Sequence, residues 1–200
     1  AIVLLPEIAL TAQTVQRFHA RFEIDSLERV EEVEGYIREG RIHLLSFMDH
    51  TPGQGQYRNL ETYRTTLKAY RNLSDEEVDR VIAKSQSREK LTVEAIRELS
   101  QFARNHGLAV ASHDDDSIEK LDLISGIGTS ISEFPITLEV AREARRRGMH
   151  TIAGAPNVLL GGSHSGNLSA AEAILDDAVD VLCSDYYPAS MLHAAFTMHR

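Results

Sequence analysis

The sequence contains a single cysteine, Cys183, and no tryptophan among its 200 residues. One cysteine cannot form an internal disulfide, so a cytoplasmic location, where thiols stay reduced, is expected. Positive charge is also scarce, since 21 Lys and Arg stand against 30 Asp and Glu, for a net charge of −9. Proteins that bind nucleic acid normally carry a basic excess, which argues against nucleic acid as a partner. No apolar run approaches the roughly 20 residues of a membrane span, which argues against a membrane partner.

The composition that remains is that of an ordinary globular protein. Hydrophobic residues make up 42% of the chain and charged residues 26%, a mixture that excludes wholesale disorder. The chain begins with Ala1 rather than methionine, and a closed eight-stranded barrel typically needs about 250 residues. We therefore expect residues 1–200 to form a single domain that is one part of a longer protein.

Short apolar runs alternate with helical segments along the chain. The runs that we predict to be strands are residues 18–24, 42–48, 108–112, 129–133, 151–155 and 179–184. Ser74 opens a capping box, and the helical stretch around 58–106 is predicted to be an enlarged connection between two strands. Strict alternation predicts an α/β fold with a parallel sheet. The pattern fits both an open doubly wound sheet and a barrel that lacks its first strands.

Polar residues collect where the predicted strands end. Glu23, His50, His113 and Asp185 stand at successive equivalent positions. Active sites of parallel α/β folds lie at the carboxyl ends of the strands. Carboxylates and imidazoles that converge on one rim supply the oxygen and nitrogen ligands of a divalent metal. The spacing therefore predicts a metal site, for which Zn, Mn and Mg all remain open.

Other polar residues have simpler interpretations. His19 and His43 lie inside or beside strands and are interpreted as structural. Asp115 and Asp116 precede a helix, where carboxylates commonly satisfy amide donors, so we expect capping more than catalysis from them. Cys183 lies within an apolar run and is interpreted as a small core residue.

A glycine-rich segment, residues 161–167, follows the fifth predicted strand and has the sequence Gly-Gly-Ser-His-Ser-Gly-Asn. Small residues allow backbone amides to approach an anion, so a phosphate site is one interpretation. An ordinary glycine-rich loop between a strand and a helix is the other. The Gly-Lys-Ser/Thr ending of a Walker loop is absent.

These segments together resemble one family of enzymes. The motifs that carry the resemblance are Leu-Ser-Phe-Met-Asp-His-Thr-Pro-Gly-Gln at 45–54, Ala-Ser-His-Asp-Asp at 111–115, Ser-Glu-Phe-Pro at 132–135, Gly-Ala-Pro-Asn-Val at 154–158, the glycine-rich segment, and Ser-Asp-Tyr-Tyr-Pro-Ala-Ser at 184–190. The chain is similar, from about residue 19 to 196, to the α-D-ribose 1-methylphosphonate 5-triphosphate diphosphatases of the carbon–phosphorus lyase pathway, within the amidohydrolase superfamily.

The resemblance implies a fold and a set of metal ligands. The fold is a (β/α)8 TIM-type barrel of the amidohydrolase type, here incomplete, with the strands corresponding to about the third to the eighth. His113 matches the fifth-strand ligand, and Asp185 matches the eighth-strand aspartate that binds metal and handles the proton of the attacking water. Glu23 matches a metal-bridging carboxylate of some members, and His50 is a further candidate ligand. Glu133 stands where many relatives have a histidine.

The resemblance also implies a substrate and a reaction. The substrate is a small phosphorylated sugar, and water attacks a phosphorus of its 5-triphosphate so that pyrophosphate leaves. Asp185 is the implied catalytic residue. The residues implied to bind the substrate are Arg58, Asn157, Gly162, Ser163 and His164.

Two other functions stay open at this point. One is a related amidohydrolase, a deaminase or deacetylase, that cleaves a C–N bond. The other is a non-catalytic barrel fragment that has lost the metal. Because a barrel removes its sheet edges only when its strands close, we expect these residues not to form a closed, active barrel alone. Self-association into a homo-oligomer also stays open.

Overall fold

The structure is a computed structural model that describes residues 17–163 and 166–199. It has an α/β architecture with a six-stranded parallel sheet. The strands are β1 His19–Glu23, β2 Leu44–Met48, β3 Ala109–His113, β4 Ile131–Glu133, β5 His150–Gly154 and β6 Val181–Cys183. All six predicted strands are confirmed, with ends that differ from the predicted ones by one or two residues.

Helices connect the strands. They are α1 Val30–Arg38, α2 Leu60–Arg71, α3 Asp75–Gln86, α4 Val93–Asn105, α5 Ile118–Gly126, α6 Leu138–Arg146, α7 Ala155–Leu160, α8 Ala170–Leu175 and α9 Ser190–His199. The capping box predicted at Ser74 is present, because its side chain accepts from Glu77 N and the Glu77 side chain accepts from Ser74 N. None of the described helices has both the length and the apolar character needed to cross a lipid bilayer.

The strands lie side by side in the same order as in the chain, from β1 to β6. A doubly wound sheet reverses its strand order at a switch point. The observed order has no such reversal, so the doubly wound alternative is wrong. Helices that follow neighbouring strands also contact one another, as α5 contacts α6 and α6 contacts α8.

The two faces of the sheet differ in chemistry because side chains alternate along each strand. Phe22, Leu45 and Val110 face the helices and share one buried cluster with Ile37 of α1 and Leu99 of α4. The opposite face carries polar side chains instead, which are Arg21, Ser46, His113 and Glu133. The apolar face anchors the strands and leaves the polar face to form a site.

Asn157 comes soon after the fifth predicted strand, and the structure places it in a short helix. The fifth strand ends at Gly154, and α7 begins at the next residue. Asn157 therefore lies inside α7 rather than directly at a strand end.

The acidic run after β3 also differs from expectation. Ser117, rather than an aspartate, caps α5 by accepting from Lys120 N. Asp115 instead accepts hydrogen bonds from the hydroxyls of Ser112 and Ser132, and Asp116 accepts from Gly55 N at 2.8 Å. The run ties β3, β4 and the loop after β2 together, so it does not serve mainly as a helix cap.

Candidate metal centre

The carboxyl ends of β1, β2 and β3 bring four titratable side chains to one rim. β1 ends at Glu23, β2 ends two residues before His50, and β3 ends at His113. Because the three strands are parallel neighbours, these ends meet at the same edge of the sheet. Asp114 follows immediately and joins them.

Three of these side chains form a group that could hold a metal ion. Ligand atoms of His50, His113 and Asp114 all lie within 4.8 Å of one another. Asp114 Oδ2 lies 4.0 Å from His50 Nε2, and Asp114 Oδ1 lies 3.7 Å from His113 Nε2. The two imidazole rings meet edge to face, with centroids 5.5 Å apart. Two nitrogens and a carboxylate around one point form a donor set typical of a transition-metal ion.

Asp114 carries a feature that fits a cation directly. Its side chain is buried, and its Oδ2 atom has no hydrogen-bond partner among the described residues. Burial raises the pKa of the Asp114 carboxyl, although the charges of His113, His50 and Lys120 act in the other direction. An ionised carboxylate without a partner is costly to bury. A positive ion between Asp114 and the two histidines would remove that cost.

Glu23 holds the His50 ring in place. Its Oε1 atom lies 2.5 Å from His50 Nδ1, and this hydrogen bond raises the pKa of His50. With Nδ1 committed to Glu23, the Nε2 atom points to Asp114. The predicted role of Glu23 as a direct ligand stays a prediction, because Glu23 lies outside the His50–His113–Asp114 group.

Two charged side chains contact the His113 ring. Glu133 Oε2 lies 3.3 Å from Nδ1, and one Arg21 guanidinium nitrogen lies 3.4 Å from Nε2. Arg21 also donates through Nε to the sulfur of Met48 at 3.1 Å. Within the described part of the chain, no carboxylate pairs with Arg21. A guanidinium without a carboxylate partner at the rim is available to an anionic ligand.

Asp185 faces the same cavity from the other side. It follows β6 and has a φ of 48°, a conformation that is uncommon for residues other than glycine. Its Oδ2 atom lies 3.8 Å from the position that a Cβ atom on Gly154 would occupy. Gly154 therefore leaves room for this carboxylate. Its predicted metal-binding and catalytic roles stay predictions.

A cavity of about 340 Å³ joins these groups to the glycine-rich segment. His50, His113, Asp114 and Asp185 line one part of it together with Arg21. The residues of the other part include Asn157, Gly162, Ser163 and Asn167. The candidate metal group and the described part of the glycine-rich segment therefore border one cavity.

The predicted substrate-binding residues fall into different places. Gly162 and Ser163 line the cavity, whereas His164 lies outside the described residues. Asn157 lines the cavity, but its side chain also accepts from Ala170 N at 2.8 Å and donates to Leu168 O at 3.0 Å. Asn157 thus fastens the end of the loop and the start of α8 to α7. Arg58 is exposed and is not among the residues that line the cavity.

Among the cavity residues that sequence reasoning did not name as site residues are Arg21 and Asp114, and Asn167 was included only as the last residue of the glycine-rich segment. Arg21 had a usable signal, because residues two apart in a strand share a face and Glu23 was already a candidate. Asp114 had a weaker one, since it directly follows a predicted ligand. Asn167 donates to Gln56 O at 3.3 Å, a contact between segments distant in sequence that no local pattern indicates.

Comparison with known proteins gives one clear relative. The chain is 36% identical over 181 residues to the α-D-ribose 1-methylphosphonate 5-triphosphate diphosphatase of Escherichia coli K12. The aligned part covers 90% of this chain and 48% of that protein, so the chain spans about half the length of its relative. No protein-family model matches the chain.

Solved structures give weaker likenesses. The N-acetylneuraminic acid synthetase of Leptospira borgpetersenii matches with a TM-score of 0.38 and 8% identity, over 90% of this chain and 49% of the other. The D-psicose 3-epimerase of Clostridium cellulolyticum matches with a TM-score of 0.31 and 13% identity, over 82% of this chain and 73% of the other. Because these TM-scores are low, the architecture is argued from the strand order of the sheet alone. The sequence comparison, in contrast, confirms the resemblance that the motifs indicated, and this chain is a homologue of the α-D-ribose 1-methylphosphonate 5-triphosphate diphosphatase.

Proposed function

We propose that this chain carries the metal centre and part of the substrate site of a divalent-metal-dependent hydrolase. The substrate class that we propose is a sugar 5-triphosphate, with α-D-ribose 1-methylphosphonate 5-triphosphate as the specific substrate and pyrophosphate as the leaving group. The observation that carries the proposal is the buried, unpartnered Asp114 oxygen between His50 and His113. The printed name of the homologue supports the choice of substrate.

The metal is proposed to bind His50, His113 and Asp114. Imidazole nitrogens suit zinc and its transition-metal neighbours better than magnesium, which prefers oxygen ligands. The mixed set therefore favours Zn or Mn over Mg. Glu23 and Asp185 remain proposed ligands at the border of this group, where a second ion or a fuller coordination sphere would use them.

The substrate phosphates are proposed to lie between the metal group and the glycine-rich loop. Arg21 supplies positive charge on the side of His113. Gly162 and Ser163 line the other side of the cavity, where small residues allow close approach of an anion. Arg58 and His164 are proposed to contribute from their own loops, and Asn157 to hold the loop in place.

The chemistry follows from these positions. A divalent ion would supply Lewis acidity toward phosphoryl oxygens and lower the pKa of a water molecule toward neutrality. Asp185 accepts a proton from the attacking water, and the water oxygen forms the new bond to phosphorus. The bond from that phosphorus to the pyrophosphate oxygen breaks, and its electron pair leaves with pyrophosphate. Arg21 neutralises charge on the phosphate oxygens throughout.

We also propose that the six strands belong to a (β/α)8 barrel of the amidohydrolase type. The sequential parallel order supports this, because a barrel is the arrangement in which successive strand–helix units follow one another around a ring. The polar face opposite the helices supports it too, since its titratable residues then lie inside the barrel near its carboxyl-terminal end.

An assay that compares leaving groups tests this function. We expect the protein to release pyrophosphate from the ribose phosphonate triphosphate faster than it releases ammonia or acetate from deaminase and deacetylase substrates. Faster cleavage of a C–N bond would contradict the proposal. Absence of every metal-dependent activity, in protein that is fully folded, would favour the non-catalytic alternative.

Variants sharpen the same assay. Asp185→Asn should lower kcat by roughly 100-fold or more, because it removes the proton acceptor. Arg21→Gln should lower kcat/KM by roughly 10- to 100-fold through loss of charge-assisted hydrogen bonds to phosphate. Asp122→Asn and Arg97→Gln, at exposed sites outside the cavity, are the matched controls and should retain activity.

A further inference from the structure

Glu133 lies beneath the metal group rather than within it. Its side chain is buried at the end of β4, next to His113 at the end of β3, with which it is in register. The Glu133 carboxylate contacts three side chains, which are His19, Ser46 and His113. None of these contacts directs a Glu133 oxygen to Asp114 or His50.

The Glu133 carboxylate meets His113 and Ser46 through the same oxygen atom. Ser46 donates to Oε2 at 2.8 Å, and the same oxygen lies 3.3 Å from His113 Nδ1. A carboxylate can only accept in such a contact, so the Nδ1 atom must carry the proton.

A second contact on the same ring leads to the same tautomer independently. An Arg21 guanidinium nitrogen lies 3.4 Å from His113 Nε2. Guanidinium only donates, so Nε2 must present its lone pair. Nε2 is also the nitrogen that faces Asp114, at 3.7 Å from Oδ1. Both contacts therefore favour the tautomer with the lone pair on Nε2, and a metal bound there would replace the contact with Arg21.

From this geometry we infer that Glu133 is a positioning residue that fixes the tautomer and orientation of His113, and that it is not itself a metal ligand. The inference rests on the proposed metal site and deepens it. It assigns a role to a buried carboxylate that the proposed reaction does not use. Ser46 on β2 and His19 on β1 contact the Glu133 carboxylate, so they in turn hold Glu133 in place.

Two substitutions separate positioning from ligation. Glu133→Gln keeps the shape of the side chain and can still accept from His113 Nδ1 and Ser46. Its zinc affinity should therefore stay within about 5-fold of wild type, which is less than the loss expected when the hydrogen-bond partner of a metal ligand is removed. Glu133→Ala removes the acceptor, and the zinc dissociation constant should rise roughly 10- to 100-fold. Glu94→Gln, at an exposed ion pair with Arg97, is the control and should bind zinc as wild type does.

The tautomer gives a readout that does not depend on metal or on activity. Nitrogen-15 NMR of the metal-free protein should show His113 protonated at Nδ1 in wild type and in Glu133→Gln. In Glu133→Ala the ring should shift toward the Nε2-protonated form. If the alanine variant folds poorly, the glutamine variant decides the question. It must then keep both the Nδ1-protonated tautomer of His113 and the zinc affinity of wild type.

Three results would overturn the inference. Equal loss of zinc affinity in Glu133→Gln and Glu133→Ala would make Glu133 a ligand. Wild-type zinc affinity in Glu133→Ala would leave it without a role, and protonation of wild-type His113 at Nε2 would contradict the geometry. Failure of the wild-type protein to bind zinc would instead count against the proposed function.

Discussion

The three aspartates that follow β3 have three different roles because the chain turns sharply after His113. Asp114 has a φ of 52°, which turns its side chain into the metal group. Asp115 is fully buried under the hydroxyls of Ser112 and Ser132. Positive φ values in non-glycine residues cost free energy and cluster at functional sites. The strained backbone at Asp114 therefore places a carboxylate oxygen of this residue in the metal group.

Gly55 packs directly on Asp114, so it offers a test at the scale of one residue. Its φ is 51°, and an added Cβ atom would lie 3.1 Å from the Asp114 Cβ. Gly55→Ala should displace Asp114 and weaken zinc binding by roughly 10-fold or more, as loss of a supporting contact does. Calorimetric titration with zinc measures this.

Gly40→Ala is the control for backbone strain. Gly40 has a φ of 66° and open space around its Cβ position. It should lose roughly 1 kcal/mol of stability from the left-handed backbone, as a residue with a Cβ does there, yet keep the zinc affinity of wild type. Equal zinc affinity in the two variants would show that Gly55 does not support Asp114.

At the scale of residues, the polar side chains that the sequence singled out after apolar runs lie near one another, while their roles as ligands stay predictions. Glu23, His50, His113 and Asp185 all border the cavity or its rim in this way. Asp114 escaped prediction because its role depends on a left-handed backbone, which a run of aspartates does not reveal.

At the scale of elements, the connection between β2 and β3 has a small core of its own. Leu67 of α2 packs with Val78 and Ile82 of α3, apart from the cluster that holds the sheet. Such a satellite cluster can open without unfolding the rest of the protein. The helices α2 and α3 are therefore expected to be the less stable part of this connection.

Val78→Ala tests the independence of this unit. Val78 is fully buried, and its truncation should destabilise α2 and α3 by about 2 kcal/mol. Amide hydrogen exchange should then accelerate roughly 30-fold in these helices, the factor that corresponds to such a loss, while β2 and β3 keep their protection. Val81→Ala, at a partly exposed position of the same helix, should have a smaller effect. Equal acceleration in the sheet would mean that the connection does not open separately.

Elements were predicted well where the pattern is local. The continuous apolar run that becomes β2 and the Ser74 capping box both act within a few residues, and both are confirmed. The helix α7 was missed because it starts without a gap after β5, and its local signals are only Pro156 in its first turn and Gly161 at its end. Strand ends shifted because hydrogen bonds with neighbouring strands decide them.

At the scale of the whole molecule, the sequential strand order gathers side chains that lie far apart in the chain. Glu23 and Asp185 stand near opposite ends of the sheet order, yet Glu23 holds His50 and Asp185 faces the cavity that His50 lines. Alternation of strands and helices predicted the parallel sheet. The order of the strands could not be predicted from it, because strand pairing joins residues distant in sequence and leaves no local pattern.

The binding of a divalent ion by His50, His113 and Asp114 is tested most directly by zinc titration of wild type and Asp114→Asn, with melting temperatures measured before and after metal removal. Wild type should bind zinc and melt at a lower temperature once the metal is removed, since a ligand of the folded state stabilises it. Asp114→Asn should bind zinc at least roughly 10-fold more weakly. Its metal-free form should melt no lower than metal-free wild type, because the variant removes a buried charge whose Oδ2 atom has no hydrogen-bond partner among the described residues. Asp122→Asn, at a surface ion pair, should resemble wild type in both respects. Wild-type zinc affinity in Asp114→Asn would contradict the proposed metal centre.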